Sequence, residues 1–232
     1  MTTLNFNELE SKSAQEILAW AAEQFGRRVA LAASFGLEDM VIIDMISKID
    51  RRFVVFTLDT GRLHEETYDT MERVRSKYGV EIKTYFPDSQ AVERLVREKG
   101  FFSFRNSLDN RKECCAIRKV EPLKRALADL DAWVTGVRRE QSVTRANVKK
   151  VENDPDHPPL IKINPLIDWT QSQAQAYIEK HNVPVNPLHE KNFPSIGCAP
   201  CTRPILPGED ARAGRWWWED PEHKECGLHR PR

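Results

Sequence analysis

Five cysteines carry most of the chemistry in this sequence, and they fall into three groups. Cys114 and Cys115 are adjacent in "KECCAIRKVEP", Cys198 and Cys201 form a C-x-x-C in "SIGCAPCTRP", and Cys226 stands in "PEHKECGLHRPR". An odd count does not close into a disulfide framework; it points to metal ligation plus one reactive thiol. Four thiolates arriving from a pair and a C-x-x-C suit a tetrahedral zinc ion or an iron–sulfur cluster. Adjacent cysteines strain to reach a single ion, whereas a cubane offers each its own iron, so the pair favours a [4Fe–4S] cluster. Lys119, one helical turn beyond Cys115, would face the same side and offset the cluster's negative charge. Cys226, with His229 three residues on, lies where chains commonly fray, a position that asks for a chemical reason.

Positioning these groups requires a framework, and the composition permits a substantial one. At 232 residues the chain can bury a sizeable core without covalent cross-links. Lys plus Arg and Asp plus Glu both number 35, so no global field favours nucleic acid or an acidic membrane, and a small-molecule partner is expected. "MTTLNFNELE" lacks a signal-peptide pattern, and no apolar run approaches the ~18 residues of a membrane span. The expected setting is the cytoplasm, where thiols stay reduced.

The hydrophobic pattern alternates between helical and strand periods. "AQEILAWAAEQF", "LEDMVIIDMISKI", "HEETYDTMERVRSKYG", "SQAVERLVREKG", "RKVEPLKRALADL" and "TQSQAQAYIEKHN" read as helices. "RVALAASF", "RFVVFTLDTG", "VEIKTYFP" and "AWVTGV" read as strands. This βαβα rhythm predicts an α/β fold with a doubly wound, mainly parallel sheet covered on both faces, and ligands beyond the carboxyl ends of its strands. After Val183 the periodicity stops and Pro and Gly accumulate. We therefore expect a nucleotide-binding α/β domain over 1–183 and an irregular segment over 184–232 that binds the cluster and ends in a mobile catalytic tail.

Three strand tips carry small or hydroxyl residues where a phosphate or adenine could approach the backbone. They are Ser34 and Gly36 in "AASFGLED", Asp59, Thr60 and Gly61 in "LDTG", and Thr135 and Gly136 in "VTGVRREQSVTR". Arg138, Arg139 and Arg145 follow the third tip, and guanidinium forks suit phosphate or sulfate oxygens. Neither G-x-x-x-x-G-K-[ST] nor G-x-G-x-x-G occurs, which argues against a Walker-type nucleotidase and a dinucleotide-dependent dehydrogenase.

Taken in order, "SFGLED", "LDTGRLHEETY", "KECC-x3-K", "TGVRREQSVTR", "NPLIDW", "GCAPCTRP-x7-R-x2-RWWWE" and "KECGLH" resemble the assimilatory sulfonucleotide reductases, in particular the iron–sulfur type that reduces adenosine 5′-phosphosulfate (APS). The likeness runs from about Ser34 to His229. It implies an adenine nucleotide α-hydrolase-like fold, a [4Fe–4S] cluster on Cys114, Cys115, Cys198 and Cys201, and Cys226 as the nucleophile. It further implies thioredoxin or a similar dithiol as reductant, sulfite and AMP as products, and a place in sulfate assimilation and cysteine biosynthesis. Lys119, Arg203, Arg212, Arg215 and His229 would neutralise the phosphosulfate, with Arg138 and Arg139 nearby. Trp216, Trp217 and Trp218 read as packing and anchoring residues. His64 and His189 receive no role.

Two alternatives stand beside this reading. The first is a reductase of 3′-phosphoadenosine 5′-phosphosulfate (PAPS), or one of dual specificity; members restricted to PAPS typically lack the four cluster cysteines. The second is a non-catalytic, metal-stabilised nucleotide-binding module. Members of the group often assemble from identical subunits, and no coiled-coil seam in this sequence decides that point.

Overall fold

A computed structural model describes residues 6–50, 52–141, 145–220 and Lys224. Its centre is β1 (Val29–Ala32), whose side chains alternate between two packing layers, as a strand's period of two requires. Val29 and Leu31 face one layer, Ala30 and Ala32 the other. β2 (Val54–Leu58) and β3 (Ile82–Tyr85) extend the sheet on one side, β4 (Ala132–Val134), β6 (Ile161–Ile163) and β5 (Val151–Asn153) on the other. Among the described residues the order is β3-β2-β1-β4-β6-β5. Every pairing is parallel except β5 with β6.

The larger layer is built by α1 (Ala14–Phe25), α2 (Leu37–Ile49), α3 (Glu65–Tyr78) and α7 (Gln171–His181). Ile17, Leu18, Ile42, Ile43, Val74 and Ile178 meet there on the faces that helical spacing assigns them. α6 (Glu121–Leu127) covers the opposite face with Leu123 and Leu127 against Phe56 and Trp133. Local signals fix several ends. Ser13 and Glu16 form a capping box on α1, Thr170 and Gln173 another on α7, and Gly79 closes α3 in the left-handed conformation.

Three elements depart from the sequence reading. β6 lies in "IKINPLIDW", where a three-residue strand is too short to show a period by itself. β5 was not anticipated: three residues in the charged run "KKVENDPDH" carry no strand period, and the edge strand exists because β6 supplies the partner bonds. The helix expected over "RKVEPLKRALADL" is interrupted. α5 (Leu108–Cys115) passes into a π-helical turn over Ala116–Val120 before α6 begins. Pro122 has no N–H for the carbonyl four residues back, and its ring crowds that carbonyl, so the backbone widens there. α4 (Ser89–Lys99) precedes α5 and carries exposed charge on most of its surface.

The chain winds outward from β1 through β3 and then returns to β4 on β1's other flank. The crevice beyond the carboxyl ends of β1 and β4 is thus the topological switch point, where open α/β sheets take ligands. Among the described residues from 184 on there is no regular element longer than the 3-10 turn Pro187–Lys191, and this segment closes one side of the crevice. Among the described residues no helix is long and apolar enough to cross a membrane.

Candidate active site

Two cavities meet beyond the sheet. The larger, about 590 Å³, lies at the switch point and is of the size that holds a small-molecule ligand. The smaller is lined by all four of Cys114, Cys115, Cys198 and Cys201. Lys119, Cys198, Arg215 and Trp216 border both.

The cysteine cavity is assembled from α5 and from the loop at 196–202. Ser107 accepts from Asn110 N–H to start α5, which ends on the cysteine pair. The C-x-x-C is tied to the β2 tip: Ala199 N–H donates to Arg62 O at 2.8 Å, and Cys198 Sγ lies 3.2 Å from Thr60 Oγ1. Arg118, in the π turn, reaches the same tip and donates to Thr60 O at 2.6 Å. Buried positive charge surrounds the thiols. Burial pushes the Cys198 thiol up, but Lys119, the Thr60 hydroxyl, Arg215 and Arg118 together bring it below its ordinary value. Cys201 goes the other way, pushed up to about 12 by burial and by the neighbouring Cys198. Cys114 is also raised, by burial, against the pull of Arg118 and Arg62.

The donor set suits a group that is anionic and accepts hydrogen bonds. Arg62 Nη1 and Arg118 Nε are buried beside the thiols with no hydrogen-bond partner among the described residues. Buried donors of this kind are costly unless something accepts from them. Four thiolates with inorganic sulfide would do so. Among the described residues no group of three His, Cys, Asp or Glu side chains is arranged to hold a single metal ion.

In the larger cavity the first strand tip is held open by a buried carboxylate. Asp39, on the first turn of α2, accepts from Ser34 N–H at 2.7 Å and from Ser34 Oγ at 2.9 Å, while Phe35 takes φ 60°. Burial raises the Asp39 carboxyl to about 6, against the bonds from Ser34 that lower it. Gly136 is required opposite: a Cβ there would stand 2.5 Å from Asp39 Oδ1. Thr135 Oγ1 donates to Asn164 Oδ1 at 2.6 Å, which fixes the third tip.

Of the residues expected at the site, Lys119, Ser34, Gly36, Thr60, Thr135, Gly136, Arg138, Arg212 and Arg215 line the larger cavity. Arg138 reaches it already engaged, with Nε 2.7 Å from Glu38 and Nη1 2.6 Å from Glu140. Arg212 donates to Lys224 O at 2.8 Å. Arg215 passes under Gly197, where any Cβ would collide with its guanidinium, and donates to Ile196 O at 3.1 Å. Asp59, Gly61, Arg139 and Arg203 do not line the larger cavity. Asp59 braces its own turn, accepting from Gly61 N–H at 2.7 Å and from Tyr68. Arg139 donates to Val148 O, and Arg203 pairs with Glu209 at 2.8 Å. Cys226 and His229 lie outside the described residues, two and five positions beyond Lys224.

A model of the phosphoadenosine phosphosulfate reductase domain matches residues 28–204 of this sequence. The chain belongs to that family. An adenosine 5′-phosphosulfate reductase of Burkholderia cepacia is 53% identical over 209 residues, which cover 89% of this chain and 83% of that protein. One from Pseudomonas aeruginosa is 50% identical over 228 residues, covering 96% and 84%. The crystal structure of a phosphoadenylyl-sulfate reductase from Candida auris superposes with a TM-score of 0.73 at 30% identity, covering 85% of this chain and 97% of that one. An FMN adenylyltransferase from Candida glabrata, at TM-score 0.57 and 13% identity over 93% of this chain and 79% of that one, shares the fold. The adenine nucleotide α-hydrolase-like architecture expected from the sequence is thus the one found.

Several residues of this family site were not singled out from the sequence. Arg62 and Arg118 flank the thiols, and Asp39 organises the first tip. Arg118 had a signal, since it adjoins Lys119 within one turn of the cysteine pair. Arg62 had none, because its place depends on how β2 docks against the C-x-x-C loop. Of the two unassigned histidines, His189 borders the larger cavity with Nδ1 2.9 Å from Phe193 O, and His64 packs its ring against Phe193. Burial lowers both below the usual histidine range.

Proposed function

We propose that this chain catalyses the thioredoxin-dependent reduction of adenosine 5′-phosphosulfate to sulfite and AMP, through an S-sulfocysteine on Cys226, in assimilatory sulfate reduction. The observation that carries the reading is the junction of the two cavities: Lys119 and Arg215 border the nucleotide-sized crevice and the cysteine cavity at once. The relatives near 50% identity, named for the same activity, support it.

In this reading the adenosine lies across the tips of β1, β2 and β4, against Ser34, Gly36, Thr60, Thr135 and Gly136. Asp59 and Gly61 keep the second tip in shape. The phosphosulfate extends toward Lys119, Arg212 and Arg215, cations preorganised for the charge that grows on the departing phosphate. The Cys226 thiolate attacks the sulfur, the S–O bond to phosphate breaks, and AMP leaves with the bonding pair. A thioredoxin thiolate then attacks Cys226 Sγ and releases sulfite; its second thiol displaces Cys226 and the dithiol ends as a disulfide. His229, close in sequence to Cys226, would help hold the anion, and Arg138, Arg139 and Arg203 would contribute at longer range.

A [4Fe–4S] cluster on Cys114, Cys115, Cys198 and Cys201 would supply a fixed anionic field beside Lys119 rather than electrons, since the dithiol provides the electron pair. We carry the division into a nucleotide-binding unit over 1–183 and a cluster-binding, tail-bearing segment over 184–232 as part of the same reading. The setting would be cytoplasmic, in keeping with four described cysteines that are all free thiols.

The test is sulfite release by anaerobically purified protein with thioredoxin, comparing APS with PAPS. A strong preference for APS supports the reading. Comparable rates would make it a dual-specificity enzyme, a preference for PAPS would place it with its Candida auris structural relative, and no release from either would leave a binding module.

A further inference from the structure

Trp216 is 2% exposed and borders both cavities, so one indole stands between the cysteines and the nucleotide crevice. Its φ is 41°, in the left-handed region that bulky side chains avoid. Its N–H donates to Cys201 O at 3.1 Å, and its carbonyl accepts from Glu219 N–H at 2.8 Å. Two guanidiniums lie on the ring: Arg215 Cζ is 4.7 Å and Arg111 Cζ 4.8 Å from a ring centroid. Arg111 comes from α5, three residues before the cysteine pair, and Glu219 takes it at 2.8 Å. Indole is the strongest aromatic acceptor for a guanidinium, and more so when both are desolvated. A strained backbone that brings two like charges onto one ring needs more than packing to explain it.

We propose that Trp216 is a positioning residue. Its ring electrons fix Arg215 toward the nucleotide crevice while the same ring receives Arg111 from the helix that ends on Cys114 and Cys115. The cysteine cavity and the anion-binding end of the crevice are thereby aligned through one side chain. The inference rests on the functional reading above only for the identity of the anion that Arg215 serves.

The test separates ring electrons from ring shape. Protein is produced with 5-fluorotryptophan and with a difluorinated tryptophan, which weaken the ring's attraction for cations at nearly constant volume, both as wild type and as Trp216→Phe. AMP affinity is read by equilibrium dialysis, and KM and kcat by sulfite release. We expect the AMP Kd and the KM for APS to rise stepwise with fluorination, by about threefold to tenfold in total, in the wild type only. Iron content should stay constant, and kcat should move less than KM. Trp216→Leu should raise KM by about tenfold or more, with Trp216→Phe in between. The proposal is overturned if fluorination leaves both constants unchanged, or changes them equally in Trp216→Phe. A wild type that binds AMP but releases no sulfite would remove the functional reading, and the AMP series would still decide the role of Trp216.

Discussion

The sheet-bearing part of the chain and the segment after Val183 are held together by different forces. In the first, Ile17, Leu18, Ile42, Ile43 and Leu31 are fully buried and the order of elements follows apolar period. In the second, Leu188 is buried too, but beside it the described buried groups include Asn186, Thr202, Arg215, Cys198 and Trp216, and directional bonds do much of the holding. Arg203 N–H donates to Gly214 O, Trp216 N–H to Cys201 O, and Thr202 Oγ1 to Cys198 O. Apolar packing tolerates conservative swaps of similar volume. Charge and hydrogen-bond networks do not, because removing one partner strands the other in low dielectric. The segment that carries Cys198, Cys201 and Arg215 is therefore the part least able to absorb polar substitutions.

The largest effect should fall on turnover. Cys226→Ser is expected to lower sulfite release by about a thousandfold or more while iron content and thermal midpoint hold. Cys198→Ser should lose iron and turnover together. If the first variant also loses iron, the partition of the cysteines into four ligands and one nucleophile is wrong. Next in size is the buried pair that joins the two regions, Arg111 with Glu219, whose side chains are 1% and 8% exposed. Glu219→Gln should cost about 3–5 kcal/mol in urea unfolding, while Ile42→Ala in the sheet layer should cost about 2–5 kcal/mol. Replacing Arg111 and Glu219 together by Met should recover most of the loss. No recovery would show that shape, rather than the stranded charge, sets the cost.

A third effect depends on pH. The folded state holds the Asp39 carboxyl up to about 6, against an ordinary 3.8. The folded chain therefore keeps a proton that the unfolded chain releases between those values. Stability contributed below this window is lost as pH rises through it, by roughly 3 kcal/mol in total. Asp39→Asn should flatten the slope of unfolding free energy between about pH 4 and about pH 6.5. An unchanged slope would mean that Ser34 stabilises the ionised form enough to cancel the burial. The smallest effect should come from Arg203, which pairs with Glu209 at side-chain exposures of 32% and 28%. Arg203→Met is expected to change KM for APS by about twofold or less, against about tenfold or more for Lys119→Met, which borders both cavities. Equal effects would return Arg203 to the anion site.

Much of this molecule was legible because its signals are local. The periodicities of "LEDMVIIDMISKI" and "RFVVFTL" specify α2 and β2 without reference to the rest of the chain, and the capping pairs Ser13 with Glu16 and Thr170 with Gln173 mark helix starts. The cysteine groups announced themselves by type and spacing, and all four described members line one cavity. β5 was illegible because Val151, Glu152 and Asn153, one apolar residue followed by two polar ones, become a strand only when β6 is beside them. Asp59 looked like a ligand because it ends a strand, yet its oxygens are taken by Gly61 N–H and Tyr68.

The sequence by itself determined the α/β alternation, the grouping of the cysteines into an adjacent pair, a C-x-x-C and a lone Cys226, and the small residues at the strand tips, all of which depend on neighbours within a few positions. Tertiary structure alone decided which cations face the crevice. Arg138, Arg203 and Arg215 are chemically identical in the sequence, and what separates them is the partner that folding delivers: Glu38 and Glu140 for the first, Glu209 for the second, and the ring of Trp216 for the third. A guanidinium's availability is set by the charges and dipoles around it, and only the fold brings those into reach: Glu38 comes from a hundred positions away, while the ring of Trp216 meets its own neighbour through a left-handed backbone turn.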